Sequence, residues 1–188
     1  MTQEAARYLV RQFETAWNLT AYHLRGLTTE ECMWRPSGGG PHLEHRTDGT
    51  WYGRMPDRED YGVGPPSIGW LTWHIGFWWS MVMDHAFGSG LLTQEQILWP
   101  GSAAAATAWI ESLHRDWQDV LHRLTDSDLA SPERTRWPFR ARPFGDVVAW
   151  VNIELTKNAS EIGYGRFLYA TRDVAQQSAP GDAPASPP

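Results

Sequence analysis

The sequence has little that would mark a secreted, membrane or metal-cluster protein. It contains one cysteine, Cys32, which excludes an intrachain disulfide framework and any multi-cysteine zinc or iron–sulfur site. No apolar run approaches the roughly 20 residues that cross a bilayer. The first ten residues lack the basic and apolar blocks of a secretory signal. These absences predict a cytoplasmic protein with no membrane partner.

Positive charge is also scarce. Lys157 is the only lysine among the 16 basic residues, and the formal net charge is −6. Because binding to a phosphate backbone needs a clustered cationic surface, this charge argues against nucleic acid as the main partner.

Tryptophan, in contrast, is abundant: the 188 residues include 12. Its large rigid ring favours a wide core, an aromatic-lined groove or a subunit interface, and packing alone accounts for most of the 12. The chain length suits one ordinary domain.

Hydrophobic periodicity predicts four long helices and no strands. Their predicted ranges are Gln3–Leu27, Ile68–Phe87, Ala103–Leu124 and Phe144–Thr171. Ser67 is placed to cap the second helix, and Gly88 to end it. The pattern therefore predicts an all-α four-helix bundle spanning residues 1–172, with residues 173–188 as a disordered Pro- and Ala-rich tail.

Two of the predicted segments bear on function. Residues 36–66 lack periodicity and have the length of a functional loop between the first two helices. The second helix is apolar nearly all round, which predicts burial in the bundle or against a second subunit, and hence a homodimer.

Polar residues on the inward faces of two helices are the candidate site. A helical wheel at about 100° per residue places Asn158 within the apolar stripe of the fourth helix, with Glu154 and Glu161 at its edge. His74 lies on the face of the second helix expected to turn inward. An imidazole and a carboxylate from facing helices are the start of a bundle metal site.

Alternatives without a metal remain open for each residue. His74 could be a core histidine with both nitrogens satisfied, and Glu154 could pair with an arginine or with His74 itself. Asn158 could be a hydrogen-bonding spacer, since its neutral amide is a weak ligand. Glu161 could orient His74 or Asn158. Lys157 falls away from the stripe and is expected to be a surface charge.

Aromatic residues near this group could line a pocket. On inward faces we place Trp17, Trp70 and Trp78, and His85 follows His74 by three turns on the same face. His114, on the third helix, falls near the polar side and is expected to be solvated.

Three segments carry a resemblance to a known family. They are SIGWLTWHIGFWW from residue 67, LTDSDLASP from residue 124 and VNIELTKNASEIGYGRFLYATR from residue 151. In pattern and helix order, residues 2–172 resemble the DinB/YfiT-like superfamily, and the nearest branch resembles mycothiol-dependent maleylpyruvate isomerase. The resemblance implies a four-helix bundle, often dimeric, that holds a divalent metal.

The resemblance also implies a function and a ligand set. It assigns His74, Glu154 and Asn158 to the three metal positions, with zinc or nickel as the metal. The implied function is that of a thiol transferase or thiol-dependent isomerase acting on a small electrophilic molecule, with a low-molecular-weight thiol as cofactor. Asn158 stands where the family pattern has histidine, so the alternative is a metal-free small-molecule-binding or regulatory protein.

Overall fold

Four long helices form the body of the molecule. The computed structural model describes residues 4–57 and 61–177, and the helices in this part are α1 (Glu4–Leu24), α2 (Thr29–Met33), α3 (Ile68–Phe87), α4 (Ala103–Leu121), α5 (Asp126–Ala130) and α6 (Phe144–Gln177). Two 3₁₀ turns lie at Tyr61–Val63 and Gln94–Gln96. The predicted all-α four-helix class is confirmed.

Local chemistry sets the helix ends. The Ser67 hydroxyl accepts a hydrogen bond from the Trp70 N–H at 3.2 Å, so α3 begins and ends where the sequence predicts. α1 ends three residues before the predicted Leu27, because the chain turns through Gly26 at a φ of 68°. α6 continues past the predicted Thr171, and the remainder of the predicted tail, residues 178–188, lies outside the described residues.

Contacts between helices fix their directions. The Asn152 amide donates to the Leu9 carbonyl, and Arg166 donates to that of His23, so α1 and α6 run parallel. Phe87 packs on Phe144 and Ile68 lies beside Gly165, which makes α3 antiparallel to α6.

α3 and α4 run parallel to each other. Gly76, in the middle of α3, lies against Trp109 of α4. Nearer the C-terminal ends of both helices, Phe87 of α3 and Trp117 of α4 pack against the same ring, that of Phe144. The chain therefore returns along the bundle between residues 88 and 102 before α4 starts. The four long helices have an up-down-down-up order, rather than alternating simply up and down.

A small antiparallel hairpin replaces part of the predicted structureless loop. β1 (Leu43–His45) pairs with β2 (Trp51–Gly53), and the Trp99 N–H donates to the Trp51 carbonyl at 2.8 Å. The prediction of no strands was wrong here because three-residue strands are too short to show a period. The turn is held by Asp48, whose Oδ1 accepts from the N–H and hydroxyl of Thr50.

α3 is the central helix of the bundle. Fourteen of its residues are buried, from Ile68 to Val82. The chain's own helices and hairpin cover this helix, so its all-round apolar character needs no second subunit. None of the helices in the described part of the chain combines the length and apolar character that a bilayer crossing needs.

Candidate functional site

His74 lies inside the bundle, on the face of α3 that turns toward α6. Its side chain is 8% exposed. The ring stacks on Trp70 at 4.7 Å between centroids and lies 6.3 Å from the ring of Phe77. These neighbours are one helical turn away, where side chains on one face meet. The predicted inward orientation of His74 is therefore what the structure shows.

The imidazole is held in its neutral form. Burial and, to a smaller extent, the positive charge of Lys157 lower the pKa of His74 to about 4, although a hydrogen bond with the Asn158 side chain acts in the opposite direction. Within the described part of the chain, Nδ1 of His74 is buried and has no hydrogen-bond partner. The ring is thus a neutral group with one nitrogen available at pH 7.

Asn158 lies level with His74 on α6 and is completely buried. Its Oδ1 accepts a hydrogen bond from the Trp78 indole N–H at 3.0 Å, and its Nδ2 donates to Oε2 of Glu161 at 3.0 Å. The two bonds fix the orientation of the amide, because the indole can only donate and the carboxylate can only accept. Asn158 is therefore the centre of a hydrogen-bond network that links α3 to Glu161.

A cation of the chain itself occupies this neighbourhood. The Lys157 ammonium lies 3.7 Å from Oε2 of Glu154 and 4.0 Å from Oε1 of Glu161, and its side chain is 46% exposed. The expected surface position is correct. Its charge nevertheless reaches His74, so Lys157 belongs to the electrostatics of the site.

A cleft opens beside Glu161. Its volume is about 360 Å³. Among the described residues that line it, Glu161 carries the one charge, and the walls are mainly apolar: Pro36, Pro65, Pro66, Leu71, Tyr164 and Leu168. A cavity of this size with few polar groups has the character of a small-molecule site.

Two predicted pocket residues are not brought to this group. Trp17 stacks on His114 of α4 at 3.8 Å between ring centroids. Nε2 of His85 lies 3.1 Å from the Leu92 carbonyl oxygen, near the other end of α3. The structure therefore gathers Trp70 and Trp78 about His74, but neither Trp17 nor His85.

The expectation for His114 also needs correction. Its ring stacks between Trp17 and Phe13, the latter at 5.5 Å, instead of standing in solvent. Burial lowers its pKa, with a smaller contribution from the charge of Arg115. The wheel placed His114 near a polar edge and could not show that α1 covers that edge.

The described residues do not fit a resident transition-metal ion. No group of three or more histidine, cysteine, aspartate or glutamate side chains in residues 4–57 and 61–177 is arranged to hold one. The third position has only the amide oxygen of Asn158, which already accepts from Trp78. A second cation would also be repelled by Lys157. The neutral imidazole of His74 is the one feature that suits a metal.

Sequence reasoning missed part of this site. Leu71 and Tyr164 of the cleft wall read as ordinary helix positions, and the prolines come from a loop that periodicity does not place. The role of Lys157 was available from spacing, because it follows Glu154 by three residues and precedes Glu161 by four, which are the separations at which helix side chains meet.

Comparison with models of protein families finds a match. A family model described as the DinB superfamily matches residues 12–162. No curated protein and no solved structure matches the chain. Because the matched segment covers most of the sequence and includes His74, Glu154 and Asn158, the chain belongs to the DinB superfamily.

Proposed function

We propose that this chain is a metal-free member of the superfamily that binds a small, largely apolar molecule in the cleft beside Glu161. One observation carries the proposal: the buried amide of Asn158, at the third metal position, accepts from Trp78 through its oxygen and donates to Glu161 through its nitrogen. A buried amide whose oxygen and nitrogen both have partners needs no ion to compensate it.

The cleft suggests the chemistry of the ligand. Oε2 of Glu161 is taken by Asn158, and Lys157 lies 4.0 Å from Oε1, beyond hydrogen-bond range. Oε1 can therefore accept a hydrogen bond from a ligand, while the apolar walls bury its hydrocarbon part. A molecule with a hydroxyl or amino group fits, and a carboxylate does not, because it would face the charge of Glu161.

Binding of simple probes tests this proposal. Benzyl alcohol, benzylamine and benzoate are titrated against tryptophan fluorescence of the wild-type protein, Glu161→Gln and Glu14→Gln. Glu14 is an exposed carboxylate on α1 and serves as the charge-matched control. We expect the alcohol or the amine to bind and benzoate not to bind, with affinity reduced about tenfold in Glu161→Gln alone. Equal affinity in all three proteins would refute the assignment to this cleft.

A second candidate is the metal-dependent thiol transferase or thiol-dependent isomerase. The observation that favours it is the buried, neutral His74 with Nδ1 unpartnered within the described residues, since a neutral imidazole is the form that binds zinc or nickel. In this candidate His74 and Glu154 hold the metal, Asn158 completes the set, and a low-molecular-weight thiol is the cofactor.

Metal analysis of untagged protein separates the two candidates. The metal-free proposal predicts less than about a tenth of an equivalent of zinc or nickel, unchanged in His74→Ala, and a melting temperature that chelators do not alter. About one equivalent, lost in His74→Ala, would replace the first proposal with the second.

A further inference from the structure

The loop between α5 and α6 concentrates the positive charge of the chain. It runs from Pro132 to Pro143 and contains four arginines within nine positions: Arg134, Arg136, Arg140 and Arg142. Its ends are joined by a hydrogen bond from the Phe144 N–H to the Ser131 carbonyl at 2.9 Å. The four arginines therefore lie on one loop whose ends are close together, which we call the arginine loop.

These arginines are exposed and form no close ion pair among the described residues, although the charge of Arg134 acts on the carboxylate of Asp128. In the part of the chain that the structure describes, no carboxylate oxygen lies within ion-pair distance of any of the four. Arg134 and Arg142 instead lie over the rings of Phe87 and Phe139, each at 4.9 Å. Glu133 is the one acidic residue in the loop.

Aromatic contacts hold the loop against the bundle. The Trp137 ring packs edge-on against Phe77 at 5.8 Å and against Trp150 at 5.6 Å, and Phe139 lies 6.1 Å from Trp150. Both rings of the loop are thus used within the molecule. Inserting them into a bilayer or stacking them on nucleic-acid bases would cost these contacts.

The backbone of the loop is strained at its most cationic point. Ala141, between Arg140 and Arg142, has a φ of 57°, in the left-handed region that a non-glycine residue enters at a cost. Strain of this kind persists only where the surroundings impose it, and it accumulates at binding sites. Here the left-handed conformation of Ala141 changes the chain direction between Arg140 and Arg142.

We propose that the arginine loop is a docking surface for an acidic peptide segment of a partner protein. Guanidinium groups bind carboxylates through paired hydrogen bonds, and four exposed ones without a close ion pair, all on one loop, can accept a short run of Glu or Asp. The formal charge of the loop is +3, so the rest of the chain carries −9. That charge repels a long polyanion such as duplex DNA, whereas a short acidic segment touches the loop alone.

The probe for this proposal is a fluorescein-labelled peptide of eight glutamates, with an eight-glutamine peptide as its uncharged match. We expect saturable anisotropy binding of the glutamate peptide that weakens at least tenfold when all four loop arginines are changed to glutamine. The control changes Arg7, Arg11, Arg25 and Arg115 to glutamine, which alters net charge equally on other exposed surface. It should retain binding within about twofold.

Several outcomes would overturn the proposal. Equal loss in the loop variant and the control variant would show unspecific attraction. Tighter loop-dependent binding of a 20-base-pair DNA duplex, or of vesicles containing phosphatidylserine, would assign the loop to another class of partner. If the fourfold variant does not fold, Arg134→Gln/Arg136→Gln and Arg140→Gln/Arg142→Gln are measured separately, and each should weaken binding.

Discussion

At the scale of single residues, Asn158 determines the hydrogen bonding of the site and His74 determines its response to pH. Asn158 closes the hydrogen-bond network, while His74 contributes a buried ring with a strongly lowered pKa. A group whose pKa falls on folding binds fewer protons in the native state than in the unfolded chain. Acid therefore works against the folded state through His74.

The pKa of His74 gives a prediction for stability against pH. Its usual value is 6.5, and burial lowers it to about 4. The neutral ring is present in both states above pH 6.5, so His74 imposes no penalty there. As the pH falls from 6.5 to 4, the unfolded state gains a proton first and the folded state loses up to about 3 kcal/mol.

Urea unfolding of the wild-type protein and of His74→Gln from pH 4 to pH 7.5 measures this effect. The difference in the free energy of unfolding between the two proteins should depend on pH below 6.5 and be constant above it. His23 and His114, whose pKa values are also lowered, are present in both proteins and cancel. A difference that does not change with pH would contradict the assignment of the shift to His74.

The wheel and the chemistry of single residues therefore predicted a good part of the site. They placed His74 and Asn158 inside the bundle, because an apolar stripe identifies an inward face. They could not find the partner of Asn158, since the Trp78 indole reaches it from a different helix, 80 residues away in sequence. The metal roles of His74, Glu154 and Asn158 stay predictions.

At the scale of elements, close packing of α3 on α4 depends on a missing side chain. A Cβ built on Gly76 would lie 1.9 Å from the Trp109 ring, far inside van der Waals contact. Glycine in a helix interior is otherwise unfavourable by about 1 kcal/mol relative to alanine. Here the approach of the two parallel helices compensates for that cost.

Gly76→Ala should therefore destabilise the protein by about 1–3 kcal/mol, since the partly buried ring of Trp109 must shift against the core. Gly145→Ala is the matched control, because a Cβ there meets its nearest neighbour, the Leu129 carbonyl oxygen, at 3.4 Å. It should be neutral or stabilising by up to about 1 kcal/mol. Chemical denaturation of both variants checks the pair, and equal effects would refute this account of the packing.

The long helices were predictable because each has a hydrophobic pattern that extends over many residues. Several helices also begin at a clear capping residue. Ser67 and Gly88 bound α3 as predicted, and in the structure Thr28 and Glu31 form a capping box at the start of α2. The hairpin was not predictable from a pattern, because the pairing of β2 depends on Trp99 as well as on β1. Short strands with distant partners leave no local signal.

At the scale of the whole molecule, one arginine joins the corner between α1 and α2 to α6. Nε of Arg166 donates to Glu31 at 3.0 Å, and its Nη1 donates to the carbonyls of His23 and Arg25, both at 2.9 Å. The Glu31 side chain also caps α2. One side chain of α6 therefore holds the end of α1 and the start of α2, which lie more than 130 residues away in sequence.

Arg166→Gln should lower the free energy of unfolding by about 2–3 kcal/mol, because the hydrogen bonds of a charged donor are lost and Glu31 is left buried without its cation. Amide hydrogen exchange in residues 25–35 should become faster in the same variant. Arg11→Gln, at an exposed position of α1, is the control and should change stability by less than about 0.5 kcal/mol. If both substitutions changed the free energy of unfolding by a similarly small amount, Arg166 would not be needed to stabilise the corner between α1 and α2.

The long-range arrangement was the least accessible from sequence. Helix periodicity gives each inward face but not the direction of its neighbour, so the parallel course of α3 and α4 follows only from contacts such as Gly76 with Trp109. The apolar surface of α3 suggested a second subunit because the hairpin that covers part of it was not foreseen. The homodimer stays a prediction.

Lys157 has a practical use that follows from its position. Since it is the chain's single lysine and nearly half of its side chain is exposed, it is the one side-chain amine that an amine-reactive dye can modify, besides the terminal amino group. That side chain lies 4.0 Å from the carboxylate on the cleft wall. A reporter can thus be attached at the edge of the cleft in the unaltered protein, where its emission would respond to whatever enters.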